Sequence, residues 1–69
     1  MFDRKKLRAQ MVLKGISAKD LSKALNINES TFYRKLNDDG RFTREEMNIM
    51  IQVLEIEDPA DIFFSQQLA

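Results

Sequence analysis

The side chains best suited to specific contacts in this chain are concentrated between Asn28 and Asn37, read N-E-S-T-F-Y-R-K-L-N. Phe32 and Leu36 stand at i and i+4, the spacing that puts two apolar groups on one side of a helix. Glu29, Ser30, Tyr33, Arg34 and Asn37 then fall on its other faces, as polar groups able to reach a partner. Their chemistry is recognition by hydrogen bonding: a guanidinium offers a planar fork of donors, a carboxylate only accepts, and a hydroxyl does both. Catalysis has little to work with. The sequence has no cysteine and no histidine. That removes disulfides, thiolate metal sites and the commonest catalytic base, and no set of nucleophile, base and orienting group stands out. No enzymatic activity, metal, cofactor or small-molecule substrate is implied.

A helix of that kind must be held by a neighbour, and Gly15 to Asn28 supplies one. Gly15 can take a left-handed conformation that ends a preceding helix, and Ser17 with Asp20 three residues later forms a capping box that starts the next. Leu21, Ala24 and Leu25 share a face of this second helix, spanning about 18–25. Asn26, Ile27 and Asn28 make the corner, with Asn28 placed to cap the third helix from Glu29 to Leu36. Two short helices joined by so tight a turn form a helix-turn-helix. That arrangement lays the second helix across the domain surface, where its N-terminal half can enter a DNA major groove.

Gly15 to Leu25 fit the pattern G-[IL]-S-x-x-x-L-[AS]-x-x-L, and Ser30 to Arg34 read S-T-F-Y-R. On these residues the chain resembles the Cro and phage-repressor type helix-turn-helix family, from about Leu7 to Phe63. The resemblance implies an all-α fold of five short helices, a lambda-repressor-like DNA-binding domain with the helix-turn-helix at helices two and three. It also implies base reading by Glu29, Ser30, Tyr33 and Arg34, with Asn28, Thr31, Lys35 and Asn37 near the sugar-phosphate backbone. The residue types suit those roles: Arg34 can fork onto guanine O6 and N7, Glu29 can accept from cytosine N4, and Ser30 is permissive. Glu29 is equally a favourable charge at a helix N-terminus, and the Tyr33 ring can instead pack on the domain. The chain departs from the family in two places. Ala18 stands where Gln often touches the DNA backbone and the recognition helix. Met11 and Leu36 stand where many members pair a buried Arg with a Glu, an exchange that avoids desolvating two charges.

With 69 residues, the chain allows a single domain, 1–69, whose small core leaves little room for a buried active site. Lys and Arg number 11 and Asp and Glu 11, and zero net charge alone argues against a nucleic-acid partner. The distribution argues for one. Residues 1–35 carry nine basic side chains against three acids, and residues 36–69 carry two against eight. A basic half can face phosphates while an acidic half faces solvent or another protein. No apolar run reaches the roughly 20 residues of a membrane helix or forms a signal peptide, so a cytoplasmic protein with no membrane partner is expected.

In the first helix, Arg4 to Lys14 with Asp3 as cap, Leu7 and Met11 point inward. Arg4, Lys5 and Lys6 crowd the first turn, where the helix dipole disfavours cations; phosphate contact by Lys5 and Lys6 would explain them, and a merely soluble basic end explains them equally well. Lys19 and Lys23 lie outward on the second helix, as DNA contacts or equally as a solvated face, and its first N–H groups near Ser17 and Ala18 can hold a phosphate. Arg41 in the loop 37–42 can reach another. Thr43 and Glu46 form a second capping box opening a fourth helix, 44–55, with Met47, Met50, Ile51 and Leu54 inward. Asp58-Pro59 starts a fifth, where Ile62 and Phe63 can close the core, although the pattern leaves open which of Phe63 and Phe64 turns outward. Ile49, Val53, Ile56, Phe64 and Leu68 are then left over, and a contiguous apolar surplus marks an interface. The expected partners are double-stranded DNA and a second copy of the chain, as in a small Cro-like regulator. The rival reading is a protein-interaction module on the same fold, an antirepressor or antitoxin-like partner using its acidic half or the apolar fourth helix as its interface.

Overall fold

A computed structural model describes residues 1–65. Five helices follow one another: α1 Arg4–Lys14, α2 Ala18–Ala24, α3 Glu29–Asn37, α4 Arg44–Val53 and α5 Pro59–Phe63. No strand occurs among the described residues, so the all-α expectation holds. Leu68 lies outside them.

The helix starts are local chemistry. Asp3 accepts from the Lys6 N–H, and both capping boxes are closed in both directions, Ser17 with Asp20 and Thr43 with Glu46. Asn28 occupies the cap position of α3, but its side chain makes no capping hydrogen bond. Pro59 opens α5, where its missing N–H costs nothing.

Three helix ends share one device. Gly15, Asn26 and Glu55 each take a left-handed conformation. The isoleucine that follows sends its N–H back five residues: Ile16 to Met11, Ile27 to Ser22 and Ile56 to Ile51, at 2.9, 3.0 and 3.0 Å. This closes the last carbonyls of α1, α2 and α4 and turns each isoleucine towards the interior. It also corrects one expectation: Ile56, placed at a partner interface by its sequence pattern, is 7% exposed and belongs to the core.

The core gathers Leu7 and Met11 from α1, Leu21 and Leu25 from α2, and Phe32 and Leu36 from α3. Phe42, Met50, Leu54, Ile56, Ile62 and Phe63 complete it. Burying each large side chain contributes about 1.5–3 kcal/mol. Met11 and Leu36 are both buried in this core, so neither position asks for a charge to be desolvated. On α2 the inward side is Leu21, Leu25 and Ser22, whose hydroxyl donates to the Lys19 carbonyl at 2.9 Å, and Ala24 is exposed instead. α2 lies against both α3 and α4, while α1 packs on α5. Phe2 has no counterpart in the sequence reading: its ring packs against Phe42 and Phe63 at centroid distances of 6.1 and 6.0 Å. The Asp3 N–H donates to the Ile62 carbonyl at 2.7 Å and secures that segment to α5.

Candidate nucleic-acid interface

α3 is rooted by Phe32 and Leu36, and its first turn is free of side-chain capping. Glu29, Ser30, Tyr33 and Arg34 are all exposed, so the four expected base readers stand together on the outer side of one helix. Tyr33 does two things. Its ring meets Phe32 edge-on at 5.8 Å and lines a cleft of about 210 Å³ with Arg8, Val12 and Ala18, while part of it faces solvent. The four outward groups therefore offer a forked donor, an acceptor, a hydroxyl and a half-packed aromatic edge, a set that can match base edges and a thymine methyl.

The expected backbone contacts divide according to whether their hydrogen bonds are already used. Lys5, Lys19 and Asn28 are exposed and hold no side-chain partner among the described residues, and Thr31 is half-buried beside Lys23 and Asn28. Ser17 spends its hydroxyl on the Asp20 N–H and its own N–H on the Asp20 carboxylate, and Ala18 is half-buried at the start of α2. Arg41 lies 3.4 Å from Asp38, and the Asn37 amide oxygen accepts from Arg4 at 2.6 Å. These are exposed links that a phosphate can replace at little cost.

Lys6 and Lys35 differ from the rest. Lys6 donates to Asp61 of α5 at 2.7 Å, on the side of α1 away from α3, and that hydrogen bond is the main reason its pKa is raised. Lys35 is half-buried and gives its ammonium to both oxygens of Glu46, at 2.7 and 2.8 Å. Burial pushes the Glu46 carboxyl up, but the hydrogen bonds from Lys35 and Thr43 outweigh it and leave the group below its ordinary value. In their place the structure brings forward Arg4 and Arg8. They lie one turn apart on the side of α1 that faces α3, Arg4 reaching Asn37 and Arg8 lining the cleft beside Tyr33. Their i, i+4 spacing was visible in the sequence; which side of α1 faces α3 was not.

Among the described residues no helix is long and apolar enough to cross a membrane, and no acidic cluster is arranged to hold a metal ion. No curated protein and no solved structure gives a significant match. Residues 6–64 do match a family, and the match runs from the first turn of α1 to the residue after α5 and takes in the whole α2–α3 corner. The chain belongs to the Cro/C1-type HTH DNA-binding domain family.

Proposed function

We propose that this DNA-binding regulator is of phage or prophage type and reads a palindromic operator as a homodimer, with α3 of each copy in a major groove. The observation that carries the reading is the outward row of Glu29, Ser30, Tyr33 and Arg34 on a helix anchored from behind by Phe32 and Leu36. Arg34 forks onto a guanine, Glu29 accepts from a cytosine, and Ser30 and Tyr33 complete the base contacts. Lys5, Arg8 and Lys19 with the corner residues Asn28 and Thr31 hold the flanking phosphates. Occupying the operator excludes polymerase, so the protein represses by occlusion in the cytoplasm, and no cofactor takes part.

Fluorescence anisotropy on a random duplex across a range of salt concentrations tests the class of partner. Binding should weaken steeply as salt rises, in proportion to the phosphates contacted. A flat dependence would instead favour a protein-interaction module. Selection from a random duplex pool should then enrich a sequence with twofold symmetry and half-sites about one helical turn apart.

A further inference from the structure

Glu46 is the one charged side chain buried among the described residues, at 8% exposure. It stands at the third position of α4, where it accepts from the Thr43 N–H at 2.8 Å and completes the capping box. The same carboxylate takes the Lys35 ammonium on both oxygens. Lys35 belongs to α3 and directly follows Arg34. The pair therefore spans the loop between α3 and α4 and joins the outward-facing helix to a rigid cap. Neither side chain is as open to solvent as those of the other three ion pairs, so water screens this one least.

α3 needs such an attachment. It has nine residues, no capping side chain, and two core anchors, Phe32 and Leu36, one above the other. On the α1 side the half-packed Tyr33 ring and the Arg4–Asn37 hydrogen bond brace it, and a helix braced on one side only can still roll. Lys35 is offset by about 100° around the axis from Leu36, on the side opposite Tyr33 and Asn37, so its bond to Glu46 holds that other side and stops the roll. Side-chain tips lie about 5–6 Å from a helix axis, so a roll of about 20° moves them by about 2 Å. That is enough to break a hydrogen bond of about 2.9 Å.

We infer that the Lys35–Glu46 pair is the positioning device of the reading helix: it fixes the roll of α3, and with it the aim of Glu29, Ser30 and Arg34, and Lys35 does not hold a phosphate. The inference rests on the DNA-reading function proposed above. It makes Lys35 and Glu46 determinants of sequence selectivity with no contact to a base.

Glu46→Gln tests it, because Gln at this position still completes a capping box while the charge that holds Lys35 is gone. Affinity for the selected duplex should fall about tenfold or more, the scale of losing one or two base contacts, while affinity for a random duplex stays at the wild-type level or rises. Removing a negative charge can only favour DNA, so a selective loss cannot come from charge. Lys35→Met should show the same selective loss with an unchanged salt slope, and Lys35→Arg, which keeps the bond to the carboxylate, should restore selectivity. Lys35→Met combined with Glu46→Met keeps an apolar, packed interior and should fold yet remain unselective. Full selectivity in Glu46→Gln overturns the inference, as does equal loss on both duplexes, or a salt slope flattened by about one phosphate in Lys35→Met. A second readout needs no DNA. Amide NMR shifts in Glu46→Gln should move along residues 29–37 while those of α1 and α5 stay in place, and unmoved shifts in α3 overturn the inference. Failure of the wild type to bind any duplex would sink the functional reading alone, leaving the NMR result to decide the positioning role.

Discussion

Arg34 carries the largest share of sequence selectivity in this reading, because it is the one guanidinium on α3, is exposed, and can make two parallel bonds to one guanine. Arg34→Ala is expected to cost about 1–3 kcal/mol on the selected duplex and to relax preference at one base position. Equal loss on random DNA, read in the same anisotropy assay, would make it a phosphate contact. Lys5 and Lys6 look alike in sequence, and the structure separates them: Lys5 points to solvent, while Lys6 is bound to Asp61. Lys5→Ala should flatten the salt slope by about one phosphate, and Lys6→Ala should leave it as in the wild type. The outward row on α3 was legible because it follows from helical periodicity around two apolar residues. The Lys6–Asp61 and Lys35–Glu46 bonds were not, since they join residues 55 and 11 positions apart, and no local pattern encodes that.

The helices themselves were legible at their starts and less so at their ends. A capping box is written within four residues, so Ser17–Asp20 and Thr43–Glu46 could be read directly. α4 stops at Val53 rather than at Glu55 because Glu55 takes a left-handed conformation, which its residue type does not announce. Gly15 and Gly40 both have φ of +66° but differ in surroundings. A methyl group at Gly15 meets open space, whereas at Gly40 it runs into the Phe2 ring. Gly15→Ala should therefore cost only the backbone penalty of about 1 kcal/mol. Gly40→Ala should cost distinctly more, and urea denaturation of the two variants compares them directly. Glu46 adds an acid-side prediction. Its folded pKa lies below the ordinary 4.5, so the unfolded chain binds the proton more tightly. The stabilisation is complete above that value and fades as pH falls through the lower folded one. Glu46→Gln should be less stable than wild type near neutrality, and the gap should narrow at acid pH in thermal melts. A constant gap from neutral to acid pH would show that the charge is not what stabilises.

At the scale of the whole molecule, the two oppositely charged halves of the sequence are partly joined in space. Lys6–Asp61, Lys14–Glu55 and Lys35–Glu46 each link a cation from residues 1–35 to an acid from residues 36–69. Seven basic side chains stand outside ion pairs among the described residues: Arg4, Lys5, Arg8, Lys19, Lys23 and Arg34 on α1 to α3, and Arg44 alone on α4. The basic character that the sequence assigned to its first half thus concentrates on α1 to α3. Zero net charge is therefore no argument against the DNA contact proposed there.

One copy of the chain, 35 × 22 × 19 Å in extent, offers one α3, and successive major grooves on one side of a duplex lie about 34 Å apart. The proposed reading of two half-sites therefore calls for two copies related by a twofold axis. The sequence left open which of Phe63 and Phe64 turns outward. Phe63 is in the core at 6% exposure, and Phe64 is 65% exposed just past α5. Ile49 and Val53 share one side of α4 but are half-buried against the core, so charge placed there would test folding as much as assembly. Phe64 is the cleaner site. Phe64→Glu should melt close to the wild type, sediment as a monomer where the wild type dimerises, and keep weak half-site binding while losing tight binding to the symmetric duplex. A wild type that stays monomeric at tens of micromolar, both alone and on its selected duplex, would show that the twofold contact does not exist. A Phe64→Glu variant that still dimerises would move the contact elsewhere on the surface, with the exposed Val12 and Leu13 of α1 as the next apolar surface to test.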